Sequence, residues 1–282
     1  MIVYLNGTLV PIEEASVSVL DRGFLFGDGV YEVVRCYAGR WFRLEDHANR
    51  LKRSLAEIGL TGFDVGWMEG IGRDLLTAHG RTPADAILYL QITRGADRLR
   101  SHVHPEGMVP TVFGMIREWN SNQDPETASV ICLEDWRWSR CDIKSVSLLG
   151  HALAANESHR KGADEAVLVR KGVVTEGAST NIAIIREGTV MTHPESPHIL
   201  SGISRKVVLE ICAELKIPFQ ERSFGLDDLK RADEVFLMGT THEVWPVSSV
   251  DGHPVPVGSR NGVTWKLKRR FSELTVPANL PG

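Results

Sequence analysis

No run of apolar residues in this chain approaches the length of a membrane span, so the sequence predicts no transmembrane segment. The opening residues, Met1-Ile-Val-Tyr-Leu-Asn-Gly7, read as a strand and a turn, not as a signal peptide. Cysteine is scarce. Cys36, Cys132, Cys141 and Cys212 lie far apart with no Cys-x-x-Cys, which argues against a disulfide framework or a cysteine zinc site and suits a reduced, cytoplasmic protein. Positive charge is not in excess either. Thirty-two Lys and Arg stand against 36 Asp and Glu, a net charge of −4. The densest basic cluster, Lys266-Leu-Lys-Arg-Arg270, reads as the polar face of a terminal helix, so nucleic-acid binding is not expected. His102-x-His104 has no carboxylate or cysteine at ligand spacing, so no metal is expected. Gly27-Asp-Gly29 lacks the third glycine of a dinucleotide fingerprint. Internal repeats and low-complexity tracts are missing as well.

What is present is an ordinary globular mix, 43% hydrophobic and 24% charged over 282 residues, enough for one large or two medium domains. Tyr31–Tyr37 and Arg40–Arg43 flank Ala38-Gly39, a hairpin signal. Ala48, Leu51, Leu55 and Ile58 recur at helical spacing, and Gly59 stops that helix. A second helix is predicted from Val65 to His79, with strands at Ile87–Thr93 and Thr111–Ile116. A polar stretch rich in Asn, Ser, Gln and Asp then reads as a linker over 120–127. It separates an N-terminal domain, 1–119, from a C-terminal domain, 128–282. The second domain opens with the strand Ala128–Leu133 and a helix over Leu148–Lys161. A hairpin over 165–174 turning at Lys171-Gly172 follows, then a strand at Asn181–Ile185, a helix at Ser204–Leu215 and a strand at Glu234–Met238. Strands and helices do not strictly alternate, so the class is α/β with α+β-like layers and much antiparallel pairing.

Several residues could carry chemistry. Lys144 ends the run Glu134-Asp-Trp-Arg-Trp-Ser-Arg-Cys-Asp-Ile-Lys144. Burial or positive neighbours free a lysine amine for attack on a carbonyl, and Arg137 and Arg140 stand close in sequence. Cys141 could serve instead as a nucleophile, although no base is evident beside it. Glu176, in Thr175-Glu-Gly-Ala-Ser-Thr-Asn181, could keep the ring nitrogen of a pyridoxal cofactor protonated. Leu200-Ser-Gly-Ile-Ser-Arg205 leads into a helix whose first amides suit a phosphate, and Gly239-Thr240-Thr241 is a second turn of amides and hydroxyls. Arg50 beside apolar Leu51 suits a partly buried cation. The cationic loop Arg98-Leu-Arg-Ser-His-Val-His104 could hold a carboxylate. Each feature alone has an ordinary structural explanation.

Their order does not. Asp21-Arg-Gly-Phe-Leu-Phe-Gly-Asp-Gly-Val-Tyr-Glu32, Glu45-Asp-His-Ala-Asn-Arg50-Leu51, the Lys144 and Glu176 tracts, Ser201-Gly-Ile-Ser204 and Gly239-Thr-Thr241 follow one another along nearly the whole chain. That series resembles the fold-type IV pyridoxal-phosphate enzymes, the class IV aminotransferases, and within them the branch that acts on D-amino acids. The resemblance implies two domains, the smaller N-terminal one α/β and the larger one, with a barrel-like mixed sheet, carrying the lysine and the phosphate site. It implies pyridoxal 5'-phosphate as cofactor and Lys144 as the Schiff-base lysine. Glu176 would face the pyridine nitrogen. Arg50, Ile203, Ser204 and Thr240 would hold the phosphate, and Leu200 and Ser179 would lie near the ring. Tyr31, Arg100 and His102 would hold the substrate carboxylate, the last two reaching across a homodimer. Two departures stand out. The loop before His102 is one residue longer, so Arg98 competes with Arg100, and Gly239 replaces a common serine. The implied reaction moves the amino group of a D-amino acid to a 2-oxo acid, pyruvate or 2-oxoglutarate, by a ping-pong route. Branched-chain L-amino-acid or (R)-amine transamination and aminodeoxychorismate lysis are the alternatives on the same scaffold.

Overall fold

The computed structural model describes residues 1–62, 64, 66–80, 85–119 and 125–276. These fall into two compact units: the first takes 1–119 and 143–148, the second 125–142 and 149–276. Most of the predicted linker, and Val65 of the second predicted helix, lie outside the described residues.

The first unit contains β1 (Ile2–Leu5), β2 (Thr8–Pro11), α1 (Arg22–Phe26), β3 (Gly29–Tyr37), β4 (Arg40–Trp41), α2 (Leu44–Glu57), α3 (Trp67–Ala78), β5 (Asp85–Thr93) and β6 (Thr111–Glu118). Its six strands form an antiparallel sheet in the order β2-β1-β6-β5-β3-β4. The side-chain period of two sorts β3 into two faces. Val30, Val34 and Cys36 share one face and enter a core with Leu51 and Leu55 of α2, Met68, Ile71 and Leu75 of α3, and Leu88 and Leu90 of β5. The helical spacing at Ala48, Leu51 and Leu55 therefore marks the face that α2 buries. Residues 143–148 group with this unit, not with 128–282, because they are stitched to β3. Val30 bridges Ser145, and the Tyr31 amide donates to the Lys144 carbonyl at 3.0 Å.

The second unit contains β7 (Ala128–Glu134), α4 (Leu149–Arg160), β8 (Glu165–Arg170), β9 (Val173–Gly177), β10 (Asn181–Arg186) and β11 (Thr189–Thr192). It continues with α5 (Ile203–Glu214), β12 (Phe219–Glu221), α6 (Leu226–Lys230), β13 (Glu234–Gly239), β14 (Glu243–Val250), β15 (His253–Pro254) and α7 (Val263–Thr275). The strands form one mixed sheet, β12-β11-β10-β13-β14-β7-β8-β9, with β15 on β14. β7 runs parallel to both β14 and β8, and β11 runs parallel to β12. The edge strand β9 passes to β10, in the other half of the sheet, over the short link 178–180. The sheet therefore curls on itself into the expected barrel-like form. Val167, Val169, Ile182, Ile184, Val235, Leu237 and Val247 fill its core.

The tight hairpins share one device. Ala38-Gly39 (φ 47° and 81°) and Lys171-Gly172 (φ 51° and 80°) place two successive residues at positive φ. This is the turn whose twist matches the flanking strands, and glycine at the second position carries it without steric cost. Among the described residues the same residue-Gly pattern turns β1 into β2, β10 into β11 and β14 into β15.

Candidate active site

In the first unit, the start of β3 and the segment crossing it hold Lys144. Its carbonyl accepts from Tyr31, and its amide donates to Ser54 Oγ on α2 at 3.2 Å. The backbone is thus fixed on both sides, and the side chain lays its amine over the Tyr31 ring, 4.2 Å from the centroid. Tyr31 in turn stacks on Tyr89 of β5 at 5.6 Å.

Alternation along β3 puts Glu32 on the same face as Val30 and Val34, fully buried against the helices. A lone carboxylate there would be very costly. Arg50 of α2 answers it with two bonds, Nε to Oε1 at 2.7 Å and Nη2 to Oε2 at 2.9 Å, and His47 adds a third contact at 2.9 Å. Burial pulls the Glu32 carboxyl up, but the Arg50 charge and these bonds outweigh it and hold it well below the usual carboxylate range. Burial also lowers the His47 imidazole. Arg50 is therefore a buried, oriented cation, as the sequence led one to expect. Its orienting partners Glu32 and His47 were missed, although an acid in phase with buried valines was a readable signal.

In the second unit the centre is Glu176, near the end of β9. It is buried, and its Oε1 accepts from Arg137. Its Oε2 accepts from Asn181 Nδ2 at 3.0 Å and from the Leu200 amide at 2.9 Å. Arg137 is shared: Asp135 takes Nε at 2.9 Å and Nη2 at 3.1 Å. Burial pushes the Glu176 carboxyl up to about 7, and Arg137, divided with Asp135, only partly opposes it. Arg137, Asn181 and the Leu200 amide are its three donors, and Arg137 is the charged one.

Asn181 also donates to the Leu200 carbonyl, so one amide side chain ties Glu176 to the segment that leads into α5. A Cβ on Gly202 would collide with Asn181 Oδ1, which keeps that position glycine. Gly202 is the extended N-cap of α5 and supplies no side-chain cap. The first helical bond runs from Lys206 back to the Gly202 carbonyl, so the amides of Ile203 and Ser204 have no partner within the helix. The Ser204 hydroxyl is buried at the same end, and Thr240 stands in the turn after β13. Open amides, a hydroxyl and a positive helix end make an anion cradle. These residues fit pyridoxal phosphate: the cradle suits its phosphate, and a buried carboxylate such as Glu176 suits a protonated ring nitrogen.

Other expectations land differently. Arg137 and Arg140 do not serve the lysine as free cations. The first is committed to Asp135 and Glu176, the second to Asp142 at 2.9 Å. The Ser179 hydroxyl is engaged by Glu165 at 2.6 Å. Burial pushes the Cys141 thiol up to about 11, which disqualifies it as a nucleophile near neutral pH. Arg98, Arg100 and His102 are all exposed on this chain. Arg100 and His102 lie against one ring, that of Phe26, at 5.0 and 5.4 Å, whereas Arg98 lines a separate cleft with Val17, Pro105 and Val109. Among the described residues no group of His, Cys, Asp and Glu could hold a metal, and no helix is long and apolar enough to cross a membrane.

The first unit offers a lysine fixed at its backbone, and the second a buried acid and a helix start with open amides, features that suit a pyridoxal-phosphate enzyme. The amino-transferase class IV family model matches residues 29–250. The chain belongs to the class IV aminotransferases, and its cofactor is pyridoxal 5'-phosphate. Among curated relatives, a D-alanine aminotransferase of Listeria monocytogenes is 41% identical over 99% of this chain and 97% of that protein. One of Bacillus licheniformis is 39% identical over 94% and 93%. Among solved structures, a branched-chain aminotransferase of Thermoproteus uzoniensis superposes with a TM-score of 0.88 at 30% identity, covering 98% of this chain and 94% of that one. The Escherichia coli branched-chain enzyme gives 0.87 at 26%, covering 97% and 94%.

Proposed function

We propose that this aminotransferase moves the amino group of a D-amino acid to a 2-oxo acid, pyruvate or 2-oxoglutarate, in two half-reactions. The observation that carries this reading is the placement of Arg100 and His102 against one aromatic ring, where the Arg100 guanidinium and the His102 ring can meet one α-carboxylate. The D-alanine aminotransferases at about 40% identity support it. The branched-chain enzymes share the fold at lower identity.

In this assignment the Ile203 and Ser204 amides, the Ser204 hydroxyl, Thr240 and Arg50 hold the phosphate. Glu176 keeps a proton on the ring nitrogen, and the Leu200 side chain packs near the ring, with Ser179 close by. The cofactor supplies an electron sink for the bond broken at the substrate α-carbon. Lys144 Nζ would take the substrate α-proton and hold it for return. Tyr31, Arg100 and His102 bind the carboxylate, and Arg98 stays outside the trap. Arg100 and His102 come from a second subunit. Around them Phe24, Leu99, Val103 and Val109 are each at least 75% exposed on one chain, apolar surface that a homodimer would cover. Four free thiols suit a cytoplasmic location.

A panel of D- and L-amino acids with pyruvate or 2-oxoglutarate, scored for the new 2-oxo acid, tests this function. Consumption of D-alanine or D-aspartate is expected. Turnover confined to L-leucine or L-valine, to amines without a carboxylate, or without any acceptor overturns it. Arg100→Ala is expected to raise KM for amino acids through the loss of a charge-assisted contact, about 2–3 kcal/mol or on the order of thirty- to a hundred-and-fifty-fold. An unchanged KM, with the rise seen in Arg98→Ala instead, would reassign the trap.

A further inference from the structure

The stretch Asp21–Asp28 belongs to the motif that marks this family, yet the function above uses only Tyr31, beyond its end. Arg22 is one of the few arginines buried almost completely, with 4% of its surface exposed. It touches nothing that reacts. Its Nε donates to Asp28 Oδ2 at 2.8 Å, Nη1 to the Ser101 carbonyl at 2.6 Å and Nη2 to the His102 carbonyl at 3.0 Å. All three nitrogens of the fork are used, and two of them grip the backbone of the loop between and at the trap residues.

Asp28 is itself held from the other side, where Arg94 donates to Oδ2 at 2.8 Å and to Oδ1 at 3.0 Å. Burial would raise the Asp28 carboxyl, but Arg94 and Arg22 outweigh it and keep it below its ordinary value, charged and fixed. The base of this assembly is also rigid. Asp21 caps α1 through the Gly23 amide and accepts the hydroxyls of Thr93 and Thr111, which ties the helix to β5 and β6. The Arg22 guanidinium lies 4.7 Å from the centre of the same Phe26 ring that meets Arg100 and His102.

We propose that Arg22 is a positioning residue for substrate binding, which sets the backbone of Ser101 and His102 so that Arg100 and His102 face one carboxylate. This rests on the carboxylate trap assigned above. An exposed loop of seven or more residues samples many conformations, and each unit of disorder in the trap weakens substrate binding directly. A buried fork that bonds two successive carbonyls removes that freedom at the point where it matters. Lysine cannot replace it, because one ammonium lacks the planar geometry that reaches Asp28 and both carbonyls.

The test uses the holoenzyme. Arg22→Gln is expected to raise KM for the D-amino acid and for the 2-oxo acid together, on the order of tenfold or more, as a misplaced binding group does. kcat and the cofactor absorbance should change far less. Arg22→Lys should recover only part of the loss. In a background lacking both trap side chains, R100A/H102A, the same Arg22→Gln change should add little. A full additional effect in that background, or an unchanged KM in Arg22→Gln, overturns the proposal. If R100A/H102A itself leaves KM unchanged, the trap assignment fails instead. If Arg22→Gln yields no folded holoenzyme, Arg22→Lys decides: raised KM values at an unchanged cofactor absorbance support the proposal, and unchanged KM values overturn it.

Discussion

Lys144→Ala is expected to abolish transamination and to leave no borohydride-reducible bond between protein and cofactor, where the wild type is labelled at that residue. The loss of proton transfer alone accounts for roughly 10²–10⁴ in rate, and the loss of the covalent link adds to it. Folding should survive. The structural duties of residue 144 are carried by its carbonyl and amide, which bond Tyr31 and Ser54, and alanine keeps both. Intact turnover in the variant would sink the assignment. The same variant tests the sharing of residues across the dimer. Co-expressed with Arg100→Ala, it should form mixed dimers with one intact site and regain part of the activity. Confirmed mixed dimers without activity would place Arg100 and Lys144 of one chain in one site.

Glu176→Gln is the second change with a large expected effect. Glutamine preserves the shape and can still accept from Leu200, but it cannot keep a proton on a ring nitrogen. Removal of one preorganised electrostatic partner costs on the order of 10²–10³ in rate, read as slowed half-reactions with the lysine–cofactor bond still reducible. Wild-type rates in the variant would remove Glu176 from the chemistry. The carboxyl also leaves a thermodynamic mark. Burial raises it to about 7 in the cofactor-free fold, above its ordinary 4.5. Between these values the folded chain holds a proton that the unfolded chain has released. Its contribution is thus fully present below about 4.5 and is lost as the pH rises through about 7. Denaturant midpoints of cofactor-free wild type should therefore fall across that window relative to the Gln variant, and parallel curves would contradict the raised value.

Local signals carried the fold further than they carried the site. Residue-Gly turns and the spacing of Leu51 and Leu55 act over a few residues, so they are readable in one dimension. The same turn signal sits at Glu187-Gly188 and Asp251-Gly252 and marks strands that the sequence reading left unassigned. α1 and α6 are each five residues long, too short to show a period. Lys144, Glu176 and Arg50 were singled out as candidates by their order along the chain. Their partners were not, because pairs such as Arg137 with Glu176 or Arg22 with His102 join residues 39 and 80 positions apart. Nearness in sequence misled where it was used: Arg140 stands four residues before Lys144 yet spends its charge on Asp142.

The exposure of the Arg100–His102 loop has a genetic corollary. On the proposed assignment a chain does not select its own substrate; its neighbour does. A mutation that alters handedness in that loop would leave the reaction centre of its own polypeptide untouched and change the one opposite. In a cell carrying two alleles, mixed dimers would then hold two centres of different taste, each obeying the other chain's gene.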